Sequence, residues 1–246
     1  MNERIVVVST NNNPDYYGYS KYIKHAWNKL GWKLCVMVTD DCLIKNIDHD
    51  YIVYLPTIPA LRSESIAQAG RLYAANHLNG DDTILMTSDM DLLPLSDYWN
   101  PNAADITNYG HDLTDFSFFP MGYTAMSLAN WRRVMNLTGS TEADMIRDAY
   151  DKSIKYSPLS DNWETYWNFD WCLLTERLKN HNVTKILRGR RTGSCFAKGR
   201  VDRGDSMQIP NETLIDAHLE NNNIKAPVKW DKFISLFESV YGTLHN

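Results

Sequence analysis

Apolar residues in this chain gather into short unbroken runs, and between the runs they recur at helical spacing. Ile5 to Ser9, Lys33 to Thr39, Tyr51 to Leu55 and Thr83 to Thr87 are β-prone runs of the length expected for strands buried on both faces. Each ends in polar or turn-forming residues: Thr10-Asn-Asn-Asn-Pro14, Asp40-Asp41, Pro56, and Asp89-Met-Asp91 ahead of Pro94. Between the first two runs, Tyr19, Tyr22, Ile23, Ala26, Trp27 and Leu30 mark a helix that Gly31 stops. Between the last two, Ser63 to Leu78 carries Ile66, Ala69, Leu72, Tyr73 and Ala75, with Arg62, Gln68 and Arg71 among them. Residues 1–95 therefore predict β-α-β-β-α-β, a mostly parallel sheet with its ligand loops on one edge.

The pattern changes beyond Pro94. Asp115 to Phe119 reads as a short aromatic strand, Pro120-Met-Gly122 as a turn, and Thr124 to Leu137 as a helix with Trp131 and Val134 on its apolar face. Glu142 to Lys155 predicts a more polar helix, and Trp163 to Lys179 is aromatic first and helical thereafter, with Asp170 at the junction. Trp163, Trp167 and Trp171 form an i, i+4, i+8 stripe of the kind that packs a core. Thr184 to Leu187 predicts a last strand and Trp230 to Tyr241 a final amphipathic helix. The whole is expected to be one α/β domain over 1–246, with a ligand-binding half at 1–95, a second half at 96–220 and a carboxyl-terminal helix at 221–246.

Composition narrows the class. The 246 residues are 43% hydrophobic, enough to fill a core, and the net charge of −5 gives no global attraction for nucleic acid or an anionic membrane. Cys35, Cys42, Cys172 and Cys195 form no C-x-x-C pair, so reduced thiols are expected. No signal-peptide pattern opens the sequence, and no apolar run reaches the ~18 residues of a membrane span, so a cytoplasmic location is expected.

The candidate chemistry centres on Asp89 and Asp91. If the backbone stayed extended past Ser88, both would share a face and repel each other, and a hard divalent ion such as Mg²⁺ or Mn²⁺ would relieve the repulsion. Asp170, in Trp167-Asn-Phe-Asp170-Trp171, is a candidate general base among aromatics or an ordinary helix cap, with Glu164 as an alternative base. Arg188, Arg190, Arg191, Lys198, Arg200 and Arg203 put six cations within sixteen residues, either a solvated loop or a loop over a polyanion. Glycines at 189, 193, 199 and 204 could hinge it, with Arg200 or Arg203 reaching phosphate.

The strand-ending Asp89-Met-Asp91, the βαβ half before it, Phe118-Phe-Pro-Met-Gly-Tyr-Thr-Ala-Met and the Asp170 helix entry together resemble the glycosyltransferase A-type fold of nucleotide-diphospho-sugar transferases, over residues 4–220. The spacing, with Asp216-Ala-His218-Leu, is similar to small glycosyltransferases of large algal viruses. The resemblance implies transfer of a sugar from a nucleoside diphosphate sugar, UDP-linked by preference, to a hydroxyl of a glycan or other acceptor. It implies Mn²⁺ or Mg²⁺ held by Asp91 and Asp89, with His218 completing the metal sphere. Asp89 would also touch ribose, Thr10, Asn11 and Asp40 would hold the nucleobase, and Arg71 would supply a cation. With Asp170 as base, the reaction would be inverting. Two other classes compete: a sugar nucleotidyltransferase, whose glycine-rich loop is replaced here by Thr-Asn-Asn-Asn-Pro, and a non-catalytic sugar or nucleotide binder.

Overall fold

The structure, a computed structural model, describes residues 2–39, 46–113, 118–137, 141–156, 169–189, 198–202, 213–219 and 227–244. Its centre is a seven-stranded sheet in the order β3-β2-β1-β4-β7-β6-β8. The strands are β1 (Arg4–Thr10), β2 (Lys33–Thr39), β3 (Tyr51–Leu55), β4 (Ile84–Thr87), β6 (Ile106–Tyr109), β7 (Thr124–Ser127) and β8 (Val183–Ile186). β1, β2, β3 and β4 run parallel, β7 is antiparallel to both its neighbours, and β6 and β8 are parallel again.

The apolar runs are continuous because both faces of the sheet are covered. Val6, Val8, Leu34, Val36 and Met86 point into one core cluster, beneath α2 (Ser20–Lys29) and α7 (Pro227–Tyr241), where Ile23, Trp27, Phe233 and Phe237 close it. Ile5, Val7, Cys35, Met37 and Leu85 point into the other. There they meet α3 (Ser63–Gly70) with its 3-10 extension Arg71–Asn76, α4 (Leu128–Met135) and α6 (Phe169–Leu178), through Leu72, Tyr73, Trp131 and Leu174. Alternation along each strand thus feeds two cores, which is the signature of a three-layer α/β/α domain.

Chain order sets the ligand edge. From β1 the chain builds outward to β2 and β3, then crosses back to β4 on the other side of β1, so the strand order reverses between β1 and β4. The crevice at the carboxyl ends of those two strands is where open α/β sheets bind ligands. α3 packs closely on the sheet at Gly70, where a Cβ would sit 2.3 Å from Leu55 Cδ1 of β3.

A second, three-stranded sheet covers part of this edge, in the order β5 (Leu92–Pro94), β10 (Asp216–His218), β9 (Arg200–Asp202). β10 pairs antiparallel with β5 and parallel with β9.

Several expectations change. Thr124–Ser127 is a strand rather than the first turn of a helix, because it fills the gap between β4 and β6; the helix begins after Ser127, whose hydroxyl accepts from the Asn130 N–H. The sequence reading omits β5, β6, β9 and β10. Phe118 and Phe119 are not in a strand, and the rest of the expected Asp115 to Phe119 strand lies outside the described residues. Cys35 and Cys172 are free thiols. No helix among the described residues is long and apolar enough to cross a membrane.

Candidate active site

A cavity of about 340 Å³ opens at the reversal between β1 and β4. Its floor is the end of β1, Ser9, Thr10 and Asn11, and one wall is Asp89, Met90 and Asp91. One face of α3 and its extension contributes Glu64, Ala67, Gln68 and Arg71, at the i, i+3, i+4, i+7 spacing of a single helix face. Asp170, Trp171, His218 and Tyr16 complete it.

Asp89 and Asp91 reach this cavity by a turn, not by an extended strand. Ladder bonding runs to Ser88, whose N–H donates to Val7 O at 2.8 Å, and then the Leu92 N–H closes back on Asp89 O at 3.1 Å. The period-two expectation is corrected accordingly, and the two acids take different partners. Asp89 Oδ1 accepts from Arg71 Nη1, while Asp91 Oδ2 lies 3.5 Å from His218 Nε2. Asp89 is 38% exposed at its side chain and Asp91 8%.

Arg71 is the hub of the other half. The guanidinium is buried, Nη1 also donates to Ser88 O at 2.8 Å, and Nη2 donates to Asp170 Oδ2 at 2.9 Å. Asp170 Oδ1 accepts from the Trp171 N–H at 2.8 Å. Burial pushes the Asp170 carboxyl up to about 6, against the pull of Arg71 and with a further push from Asp89. A fork that reaches two acids and a carbonyl is a geometry that arginine supplies and lysine does not.

At the far end, Asn11 Nδ2 donates to Ser63 Oγ at 3.1 Å, and Asn11 Oδ1 accepts from the Asn13 N–H at 3.2 Å. The loop after β1 is thereby pinned to the start of α3. His218 arrives from β10: the Leu219 N–H donates to Asp91 O at 2.7 Å, and the ladder sets His218 opposite Leu92.

The cavity thus brings together Thr10, Asn11, Arg71, Asp89, Asp91, Asp170 and His218. Asp40, Glu164, Arg190, Arg191 and Arg203 lie outside the described residues. Arg200 is not among the lining residues. Its Nε and Nη2 donate to Asp216 at 3.0 and 2.7 Å, and Arg188 grips the same carboxylate at 2.9 and 3.0 Å. Arg188 and Arg200, expected in a solvated loop or a loop over a polyanion, serve here as counter-ions of a buried acid. Ser9, Tyr16 and Glu64 escape the sequence reading; Glu64 was signalled by its spacing from Gln68 and Arg71. Trp171, read as packing, also lines the cavity.

Among the described residues no group of three metal-ligating side chains is preassembled. Asp91 and His218 offer one oxygen and one nitrogen donor beside the open cavity. That set suits a hard cation whose remaining positions are filled by phosphate oxygens and water.

A mixed, mostly parallel sheet with this switch-point cavity has the fold of the A-type glycosyltransferases. The galactosyltransferase LgtC, solved in complex with donor and acceptor sugar analogs, is similar over 98% of this chain and 98% of its own, with a TM-score of 0.53 at 11% identity. The glycosyltransferase GlyE of Streptococcus pneumoniae TIGR4 matches 97% of this chain and 63% of its own, with a TM-score of 0.49 at 13% identity. No family model and no curated protein matches the sequence.

Proposed function

We propose that the protein transfers a sugar from a nucleoside diphosphate sugar, with UDP as the first nucleotide to test, to a hydroxyl of a glycan or other acceptor, assisted by a divalent cation. The observation that carries this reading is the charge of the cavity. Among its described lining residues, Glu64, Asp89, Asp91 and Asp170 face the single guanidinium of Arg71. A diphosphate settles beside four acids only if a cation accompanies it.

Asp91 and His218 would hold Mn²⁺ or Mg²⁺, which when bound with the donor would neutralise the departing diphosphate, while Asp89 is turned to Arg71. The chain's own residues do the rest. Thr10, Asn11 and Tyr16, polar residues at the end of β1 and just beyond it, would hold the nucleoside. Arg71, fixed by Asp89 and Asp170, keeps positive charge where the reacting end of the donor would lie. Trp171 offers an aromatic face for a sugar ring.

Asp170 supports two roles. As a general base, with its carboxyl poised near neutrality, it would take the acceptor's hydroxyl proton and the product would be inverted. A specific observation favours the second: both its oxygens already accept, from Arg71 and from the Trp171 N–H, which makes it a clamp for Arg71. The anomeric configuration of the product, read from NMR coupling constants, separates the two, because a clamp imposes no inversion.

The reading is tested by thermal shift across nucleotides and nucleotide sugars, with Mn²⁺ or with EDTA. A ligand that binds the native state raises the melting temperature. We expect stabilisation by a nucleoside diphosphate sugar in Mn²⁺ that EDTA removes. A full screen without any such shift overturns the proposal.

A further inference from the structure

His218 is delivered to Asp91 by a strand of three residues, in a sheet whose two other strands are equally short. Such a sheet is marginal by itself, so something else must fix it. Asp216 is two residues from His218 on the same strand and is fully buried. Its carboxylate accepts four N–H bonds, from Arg188 Nη1 and Nη2 and from Arg200 Nε and Nη2, at 2.7 to 3.0 Å. Paired forks of this kind are the strong form of charge-assisted bond.

The two arginines tie β10 to different parts of the molecule. Arg200 belongs to β9, opposite Asp216 in the ladder. Arg188 follows β8 of the main sheet, and its own backbone is held: Asp112 accepts the Arg188 N–H at 2.9 Å and the Gly189 N–H at 2.7 Å. A continuous path therefore runs from the main sheet through Arg188 to Asp216, along β10 to His218, and across to Asp91. The backbone bond from Leu219 to Asp91 O closes it.

We infer that Asp216 is a positioning residue for the cation site: locked between Arg188 and Arg200, it holds β10 so that His218 stands against Asp91. This rests on the reading of Asp91 and His218 as cation donors. Asp216 lines no part of the cavity, so its effect on binding passes through the strand.

The test uses the full chain with Asp216→Asn and, as a milder change, Arg200→Gln, which leaves Arg188 on the carboxylate. Two quantities are measured: amide hydrogen exchange over residues 213–219, and UDP affinity by calorimetry in Mn²⁺ and in EDTA. Asp216→Asn is expected to speed exchange there by about tenfold or more. It is also expected to weaken the Mn²⁺-dependent gain in UDP affinity by about tenfold or more, leaving affinity in EDTA unchanged. Should Asp216→Asn fail to fold, Arg200→Gln must show both changes at smaller size. Faster exchange with a wild-type Mn²⁺ gain, in whichever variant folds, overturns the proposal, since Asp216 would then be structural only. A loss of UDP affinity in EDTA as well, as a direct phosphate contact by Arg200 would give, also overturns it. If the wild-type protein shows no Mn²⁺ gain at all, it is the cation reading of Asp91 and His218 that fails first, and this proposal falls with it.

Discussion

Arg71 Nη2 and Asp170 Oδ2 stand 2.9 Å apart across 99 residues of sequence, with side chains 5% and 2% exposed. The pair joins the extension of α3, which carries Arg71, to the start of α6, which carries Asp170, at the cavity wall. Arg71→Met would leave Asp170 buried without its cation, and breaking a buried pair in this way costs about 3 kcal/mol or more. The loss is expected to be smaller at pH 5 than at pH 7.5, because a carboxyl without its cation can take up a proton instead of carrying unpaired charge. Urea unfolding at the two pH values measures both. Arg71→Lys should recover little, having no fork to span Asp89 and Asp170.

The carboxyl of Asp170 gives a pH dependence whose sign is fixed. Its folded value of about 6 lies above the ordinary value of 3.8, so it stabilises the protein most below pH 3.8, and that contribution is lost as pH rises through 6. Asp216 acts the opposite way: despite its burial, Arg200 and Arg188 hold it well below the usual carboxylate range, so its contribution is present above pH 3.8 and lost as the solution is acidified. Asp170→Asn is expected to flatten the fall in stability between pH 4 and pH 6 that the wild type shows. If Asp170 is the base, kcat/KM has an acid limb near 6 that the variant lacks, and turnover drops ~10²-fold or more. An unchanged limb assigns it to another group.

How far the sequence carries depends on how local the cause is. β1, β2 and β4 were legible because a strand covered on both faces needs an unbroken apolar run, and the edge strand β3, buried only at Leu55, because its β-branched and aromatic residues stand between turn residues. β5, β9 and β10 were not, since three residues such as Leu92-Leu-Pro94 or Asp216-Ala-His218 hold no period and become strands only by pairing with distant partners. Thr124–Ser127 failed for a related reason: its strand state comes from the slot between β4 and β6. In the site, Asp89, Asp91, Arg71, Asp170 and His218 could be picked out as chemistry-bearing residues, but their partners could not. Arg188 and Arg200 looked like a basic run because nothing in their neighbourhood announces Asp216 as the acid that neutralises them.

Asp91 and Asp89 are expected to separate in function although they are neighbours in sequence. Asp91→Asn removes the carboxylate beside His218, so the Mn²⁺-dependent part of nucleotide binding should fall about tenfold or more while stability changes little. Asp89→Asn instead loosens Arg71, and should weaken nucleotide binding to a similar degree in Mn²⁺ and in EDTA. Calorimetry with UDP in both solutions compares them. Equal metal dependence in the two variants would mean that both acids hold the ion.

The last prediction concerns Gly199, which precedes β9 and sets the approach of β10. Its φ of +71° lies in the left-handed region, and a Cβ there would stand 2.8 Å from Thr213 O and 2.8 Å from Ile215 Cγ1. Its own carbonyl accepts the Ile215 N–H at 2.7 Å, so the backbone cannot move aside without losing a bond of the small sheet. Gly199→Ala combines an unfavourable conformation with a clash against main chain, and each carries about 1–3 kcal/mol. Val201, Ala217 and Leu219 of the small sheet join the first core cluster, but the ladder bonds of β1, β2 and β4 are made within the main sheet. The expected outcome is therefore local: residues 213–219 lose hydrogen-exchange protection and the Mn²⁺-dependent gain in UDP affinity shrinks, while exchange in β1, β2 and β4 keeps its wild-type rate. If protection is lost uniformly across the domain, the second sheet is part of the global folding unit, and the three short strands cannot loosen while the main sheet stays closed.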